Sequence, residues 1–74
     1  MISLKEFTVC YTFDNEIITE KIIKEVDVTK EDVKKEIIEK MDHCKYFIVK
    51  NDQGNYMINS YLVRYVRVIE KVVV

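Results

Sequence analysis

Between Leu4 and Phe13, apolar Phe7, Val9, Tyr11 and Phe13 alternate with Thr8, Cys10 and Thr12. A period of two marks a strand with one buried face, because successive strand side chains point to opposite sides. The odd positions are therefore the expected core face. Asp14-Asn15 follows, a pair that tolerates positive φ and can close a two-residue hairpin. Such a turn sets the register, with Phe13 opposite Glu16, Tyr11 opposite Ile18 and Phe7 opposite Ile22. The even residues of the second strand then share the apolar face of the first, and Glu20, opposite Val9, is the one misfit. Ile18, Ile22 and Val26 also recur every fourth residue, so residues 15–26 fit a helix as a competing reading. The β-branched content and the run Val26-Asp27-Val28 favour the strand, and a helix here would leave the first strand without a neighbour.

Thr29 is placed to cap a helix from Lys30 to about Asp42, with Asp32 three residues on as a weaker capping-box partner and Val28 positioned to staple to Val33. Val33, Ile37, Ile38, Met41 and Cys44 form its expected buried stripe. Glu31–Lys35 and Glu36–Lys40 are i,i+4 pairs on the outer face, which reads as solvated.

After the helix, Tyr46 to Val49 reads as a short strand apolar on both faces. Asn51-Asp52-Gln53-Gly54-Asn55 reads as a hairpin loop, with Gly54 supplying a left-handed residue, and Tyr56 to Asn59 pairs back. Polar Asn59-Ser60 predicts a bend. A last strand spans about Val63 to Val73, apolar at even Leu62, Val66, Val68, Val72 and Val74 and at odd Val63, Tyr65, Ile69 and Val73. A strand apolar on both sides needs cover on both sides. One helix cannot cover both faces of a five-stranded sheet, so the pattern calls either for a sheet curled towards a barrel or for a second protomer. The predicted class is α+β, in the order β-β-α-β-β(-β), with an antiparallel sheet, one amphipathic helix and a single domain over residues 1–74.

Composition agrees with strands: the 74 residues include eleven Val and ten Ile and no Ala. A chain this short buries a small fraction of its surface, so marginal stability as a monomer is expected. Twelve basic against thirteen acidic side chains imply neither nucleic acid nor an anionic membrane as a partner. No apolar run approaches the ~20 residues of a membrane span, and the start lacks a basic stretch followed by an apolar one. The expectation is an unexported, cytoplasmic protein. Cys10 and Cys44 could form only one bridge, so both are expected to be free and buried.

The succession of a strand hairpin, a helix and a closing pair carrying Tyr56-Met57-Ile58-Asn59-Ser60 and Val63-Arg64-Tyr65-Val66-Arg67-Val68 resembles a class of short proteins from Gram-positive bacteria and their phages. The resemblance covers most of the chain but consists of hydrophobic and turn positions. It implies a phage or mobile-element accessory protein, a population rich in small oligomeric binders of host proteins or signalling nucleotides, and it carries no functional residues with it.

The candidate chemistry is sparse. His43-Cys44 is the only adjacent pair of nucleophile or metal-ligand types, and consecutive helical residues point about 100° apart, which argues against a catalytic pair. Zinc takes about four ligands, and one His with two Cys could supply them only across an oligomer. One glycine rules out Gly-rich phosphate loops, and no paired carboxylates stand in apolar context. An enzyme and a bound cofactor are not expected. Tyr56, Tyr61, Arg64, Tyr65 and Arg67 form the one suggestive set, because Tyr and Arg offer large contact areas with a polar end and also suit a stacked base beside a phosphate. In a regular strand Arg64 and Arg67 would face opposite sides. The sequence thus predicts a non-enzymatic homo-oligomeric binder that blocks or sequesters a host protein or a small nucleotide. The alternative is a small nucleic-acid-binding or regulatory domain with a Tyr/Arg sheet surface.

Overall fold

The computed structural model describes residues 3–73 of the chain, with side-chain environments from 3 to 71. Five strands and one helix follow in the order β1 (Leu4–Thr12), β2 (Ile17–Glu25), α1 (Lys30–His43), β3 (Tyr46–Asn51), β4 (Gly54–Asn59) and β5 (Tyr65–Val73), with a short 3₁₀ turn, Ser60–Leu62, before β5. The strand reading of residues 17–25 holds, and the helical one does not. All strand pairs are antiparallel.

The β1–β2 register is the one the sequence predicts: Tyr11 pairs with Ile18 and Phe7 with Ile22. The Phe13 N–H donates to the Glu16 carbonyl at 2.9 Å, closing the Asp14-Asn15 turn. Neither turn residue takes positive φ, contrary to the expectation. Arg64 Nε donates to Asp14 Oδ1 across from this turn and ties it to the entry of β5.

The expected single five-stranded sheet is instead two sheets, β2-β1-β5 and the hairpin β3-β4, and they do not close into a barrel. The reason lies in the connections. After β4, Asn59 Oδ1 accepts the Tyr61 N–H and the Ser60 hydroxyl donates to the Cys44 carbonyl, so the 3₁₀ turn anchors the hairpin to the helix end. From there β5 crosses to pair with β1 rather than with β4. The second hairpin turns tightly through Asp52-Gln53, not through a five-residue loop, and Gly54, at φ +130°, opens β4.

One face of β2-β1-β5 carries Phe7, Val9, Tyr11, Ile18 and Val68, all buried against Val33 and Ile37 of α1 and against Phe47, Val49 and Ile58 of the hairpin. Each buried side chain of this size contributes on the order of 1.5–3 kcal/mol. The Tyr11 and Phe47 rings, 5.4 Å between centroids and tilted by 55°, join the sheet to the hairpin. The helix starts at a complete capping box, Thr29 Oγ1 accepting the Asp32 N–H and Asp32 Oδ2 accepting the Thr29 N–H. Its buried stripe is narrower than predicted. Val33 and Ile37 are buried and Met41 half-buried, but Ile38 is 60% exposed and Cys44 is exposed, because α1 lies along one face of a three-stranded sheet and reaches only a thin line of it. Of the predicted helical ion pairs neither forms; Glu31 meets Lys34, and Glu36 reaches Lys24 on β2.

Candidate functional site

In a strand the face opposite the core is set by parity. Here Glu6, Thr8, Cys10 and Thr12 of β1 lie between Ile17, Thr19, Lys21 and Ile23 of β2 and Tyr65, Arg67, Ile69 and Lys71 of β5. The molecule is 16 Å thick in its thinnest dimension, room for two layers about 10 Å apart, and the helix and hairpin both occupy the core side. The outer face is therefore open: Ile17 is 63% exposed, Tyr65 62% and Ile69 40%. Soluble sheets with one wet face normally alternate apolar with polar. This one instead places isoleucines and a tyrosine among three cations, Lys21, Arg67 and Lys71, and the carboxylates Glu6 and Glu25.

The five predicted contact residues do not converge. Tyr65 and Arg67 stand two residues apart on this outer face, Cys10 and Thr12 beside them on β1. Arg64 precedes the strand and is engaged with Asp14. Tyr61 projects from the 3₁₀ turn and is largely exposed, whereas Tyr56 is half-buried on the core side of β4. The set thus splits into an outer-face pair and three separate positions. Parity alone groups Ile69 with Tyr65 and Arg67 on β5, and Ile17 with Ile23 on β2; only the pairing of β5 with β1 brings the two groups onto one face.

A second feature lies at the free edge of β2. A cleft of about 480 Å³ opens between residues 16–21 and the β3–β4 turn, Lys50 to Gln53, with Tyr56 at its side. Asn51 Nδ2 crosses it to donate to the Thr19 carbonyl at 2.7 Å, while Asn51 Oδ1 accepts the Gln53 N–H at 2.8 Å.

The reactive side chains are dispersed. His43 ends the helix in solvent, Cys44 follows as its C-cap, and Cys10 sits half-buried on the outer face; both cysteines are free, but neither is fully buried as expected. Among the described residues no three His, Cys, Asp or Glu side chains are grouped to hold a metal ion, and no helix is long and apolar enough to cross a membrane. Comparison with known proteins finds no matching family model, curated protein or solved structure.

Proposed function

We propose that this protein is a non-enzymatic binding protein that self-associates, and engages a protein partner, through the outer face of the β2-β1-β5 sheet. The observation that carries the reading is the row of Ile17, Ile23, Ile69 and Tyr65 on strands that the fold covers on one side only. An apolar face of this kind lowers its free energy by being covered. Three nine-residue strands about 4.8 Å apart present roughly 400 Å² in projection, below the ~800 Å² per partner of a standard interface, so the association is reversible rather than obligate. Of the two partner types raised by the sequence, a protein suits an open sheet surface better than a nucleotide does. The Tyr and Arg residues do not enclose a pocket in which a base and a phosphate would be held together. The role of a phage or mobile-element accessory protein that blocks a host protein is consistent with this surface and rests on the resemblance of the chain.

Sedimentation velocity over a range of concentrations tests the reading. The wild type should pass from monomer to dimer or higher, and Ile17→Lys with Ile23→Lys should remain monomeric with an unchanged circular dichroism spectrum. A wild type that stays monomeric at hundreds of micromolar, well above typical weak dissociation constants of about 100 μM, overturns it.

A second reading, nucleic-acid binding, is favoured by one observation: Lys21, Arg67 and Lys71 share the face with Tyr65. Binding to single-stranded DNA or RNA that weakens steeply with salt would support it, and failure to bind at low salt would remove it.

A further inference from the structure

We propose that Asn51 is a built-in latch that closes the outer edge of β2 against pairing with the same edge of a second copy. The proposed sheet-face association leaves this edge uncovered, so the latch is a separate device and does not rest on that reading.

Hydrogen-bond parity defines the edge. The Phe13 N–H bonds to the Glu16 carbonyl at one end of the β1–β2 ladder and the Val26 N–H to the Ser3 carbonyl at the other, with an unbroken register between. The even residues of β2 therefore bond to β1, and alternation sends the N–H and C=O groups of Ile17, Thr19, Lys21, Ile23 and Glu25 outwards. Among the described residues no strand pairs with that side. An open row of this kind is a template for edge-to-edge association, and covering it with a loop is one of the devices proteins use against this.

The chain takes two of these outward carbonyls for itself. The Glu25 carbonyl, at the end of the strand, accepts the Val28 N–H at 3.1 Å and belongs to the turn that leads into α1. The Thr19 carbonyl accepts Asn51 Nδ2 at 2.7 Å, from the turn of the other sheet. This second bond spans the cleft of about 480 Å³ that otherwise lies open along residues 16–21. A primary amide aimed at that carbonyl stands where the N–H of a second strand would come, and an incoming strand would leave its own N–H unpaired and out of water. What is left is Ile17 on one side and Lys21 and Ile23 on the other, fewer positions than a stable strand pair needs.

The amide is held in place by its other atom, since Asn51 Oδ1 accepts the Gln53 N–H at 2.8 Å within the β3–β4 turn. The position thus requires a donor and an acceptor on one short side chain, which asparagine supplies and an ionised aspartate does not. In a solution of this chain alone, the strand that meets an opened edge is the same edge of another copy. Two such edges pair antiparallel about a two-fold axis, donors facing acceptors.

The test compares the full-length wild type with Asn51→Asp, which keeps the acceptor for Gln53 and loses the donor to Thr19, by residue-resolved hydrogen exchange at increasing protein concentration. In the wild type the Thr19 and Ile23 N–H groups should exchange at rates that do not depend on concentration up to hundreds of micromolar. In Asn51→Asp they should slow about fivefold or more over the same range. Adding Lys21→Pro removes an outward N–H without touching the β1 ladder, as proline at a strand edge permits, and should abolish the slowing; a substitution that merely loosened the fold would be made worse by the proline. Adding Ile69→Lys instead disables the sheet face from β5 and should leave the slowing in place, which separates a failure of the latch from a failure of the face reading. Exchange in Asn51→Asp and in its Ile69→Lys derivative decides the matter even where Lys21→Pro does not fold. Edge amides of Asn51→Asp that exchange equally fast at every concentration, slowing that survives Lys21→Pro or disappears with Ile69→Lys, or wild-type edge amides already slowed by concentration each overturn the proposal.

Discussion

The Tyr11 hydroxyl donates to Glu20 Oε1 at 2.6 Å, diagonally across the β1–β2 ladder. This bond accounts for the one carboxylate on the core face of β2. A carboxylate opposite Val9 would be left short of water, and the buried tyrosine beside it supplies the donor. Burial, then the bond to Glu20 and its negative charge, and finally the charge of Glu36, push the Tyr11 phenol well above its ordinary value. A raised folded-state pKa means that the stability from a neutral Tyr11 is complete below the ordinary phenol value of about 10 and is lost as pH rises above it. Tyr11→Phe should cost about 1–3 kcal/mol at neutral pH, because Glu20 loses its donor. Denaturant titrations at neutral and alkaline pH check this: the alkaline loss of stability should shrink in the variant, and a variant as stable as the wild type would show that Glu20 finds water instead.

The helix start gives a second prediction. Thr29→Ala removes the acceptor for the Asp32 N–H and should cost about 1 kcal/mol, read as a lower melting temperature with little change in the folded spectrum. The Thr29 N–H, then the Thr29 hydroxyl contact, hold the Asp32 carboxyl below the usual carboxylate range. The contribution of a lowered pKa is present above about 3.9 and is lost as pH falls through the folded-state value, so Asp32→Asn should flatten the acid limb of stability against pH.

These two sites bear on what the sequence reveals. Thr29-x-x-Asp32 and the alternation Phe7, Val9, Tyr11 are local signals, and local signals carried through: the capping box and the β1–β2 register follow from spacing and turn length alone. Ile38 shows the opposite case. Its place on the helical stripe is legible, but its exposure depends on how many strands α1 lies across, a long-range fact. The same holds for β5, whose two apolar faces require two covers but do not say that the chain supplies only one. Tyr56 and Tyr65 look equivalent in sequence, and only the crossing of β5 to pair with β1 puts them on different sides of the molecule.

Gly54 provides a test of backbone strain separated from packing. Its φ of +130° is a conformation L side chains rarely adopt, yet a Cβ there would meet nothing within 4 Å. Gly54→Ala should therefore destabilise by about 1–3 kcal/mol through strain alone. A chemically synthesised chain with D-alanine at 54 should keep or exceed wild-type stability. Equal losses for the two enantiomers would mean that the turn at Asp52-Gln53 is set by contacts and not by the glycine.

Cys10 and Cys44 give a chemical readout of the outer face. Cys10 lies half-buried at its middle, paired with Thr19 on one side and Arg67 on the other, whereas Cys44 is exposed at the end of the helix, away from that face. Alkylation with iodoacetamide, followed by mass spectrometry of each cysteine peptide, should modify Cys44 faster in dilute protein. The proposed self-association through the sheet face would bury Cys10 as protein concentration rises, so its alkylation should slow while that of Cys44 stays constant. Ile17→Lys with Ile23→Lys should remove the concentration dependence at Cys10 without changing its rate in dilute solution. Parallel slowing at both cysteines would place the contact elsewhere on the molecule, and a constant rate at Cys10 would show that the sheet face stays open to solvent even when copies of the chain are crowded together.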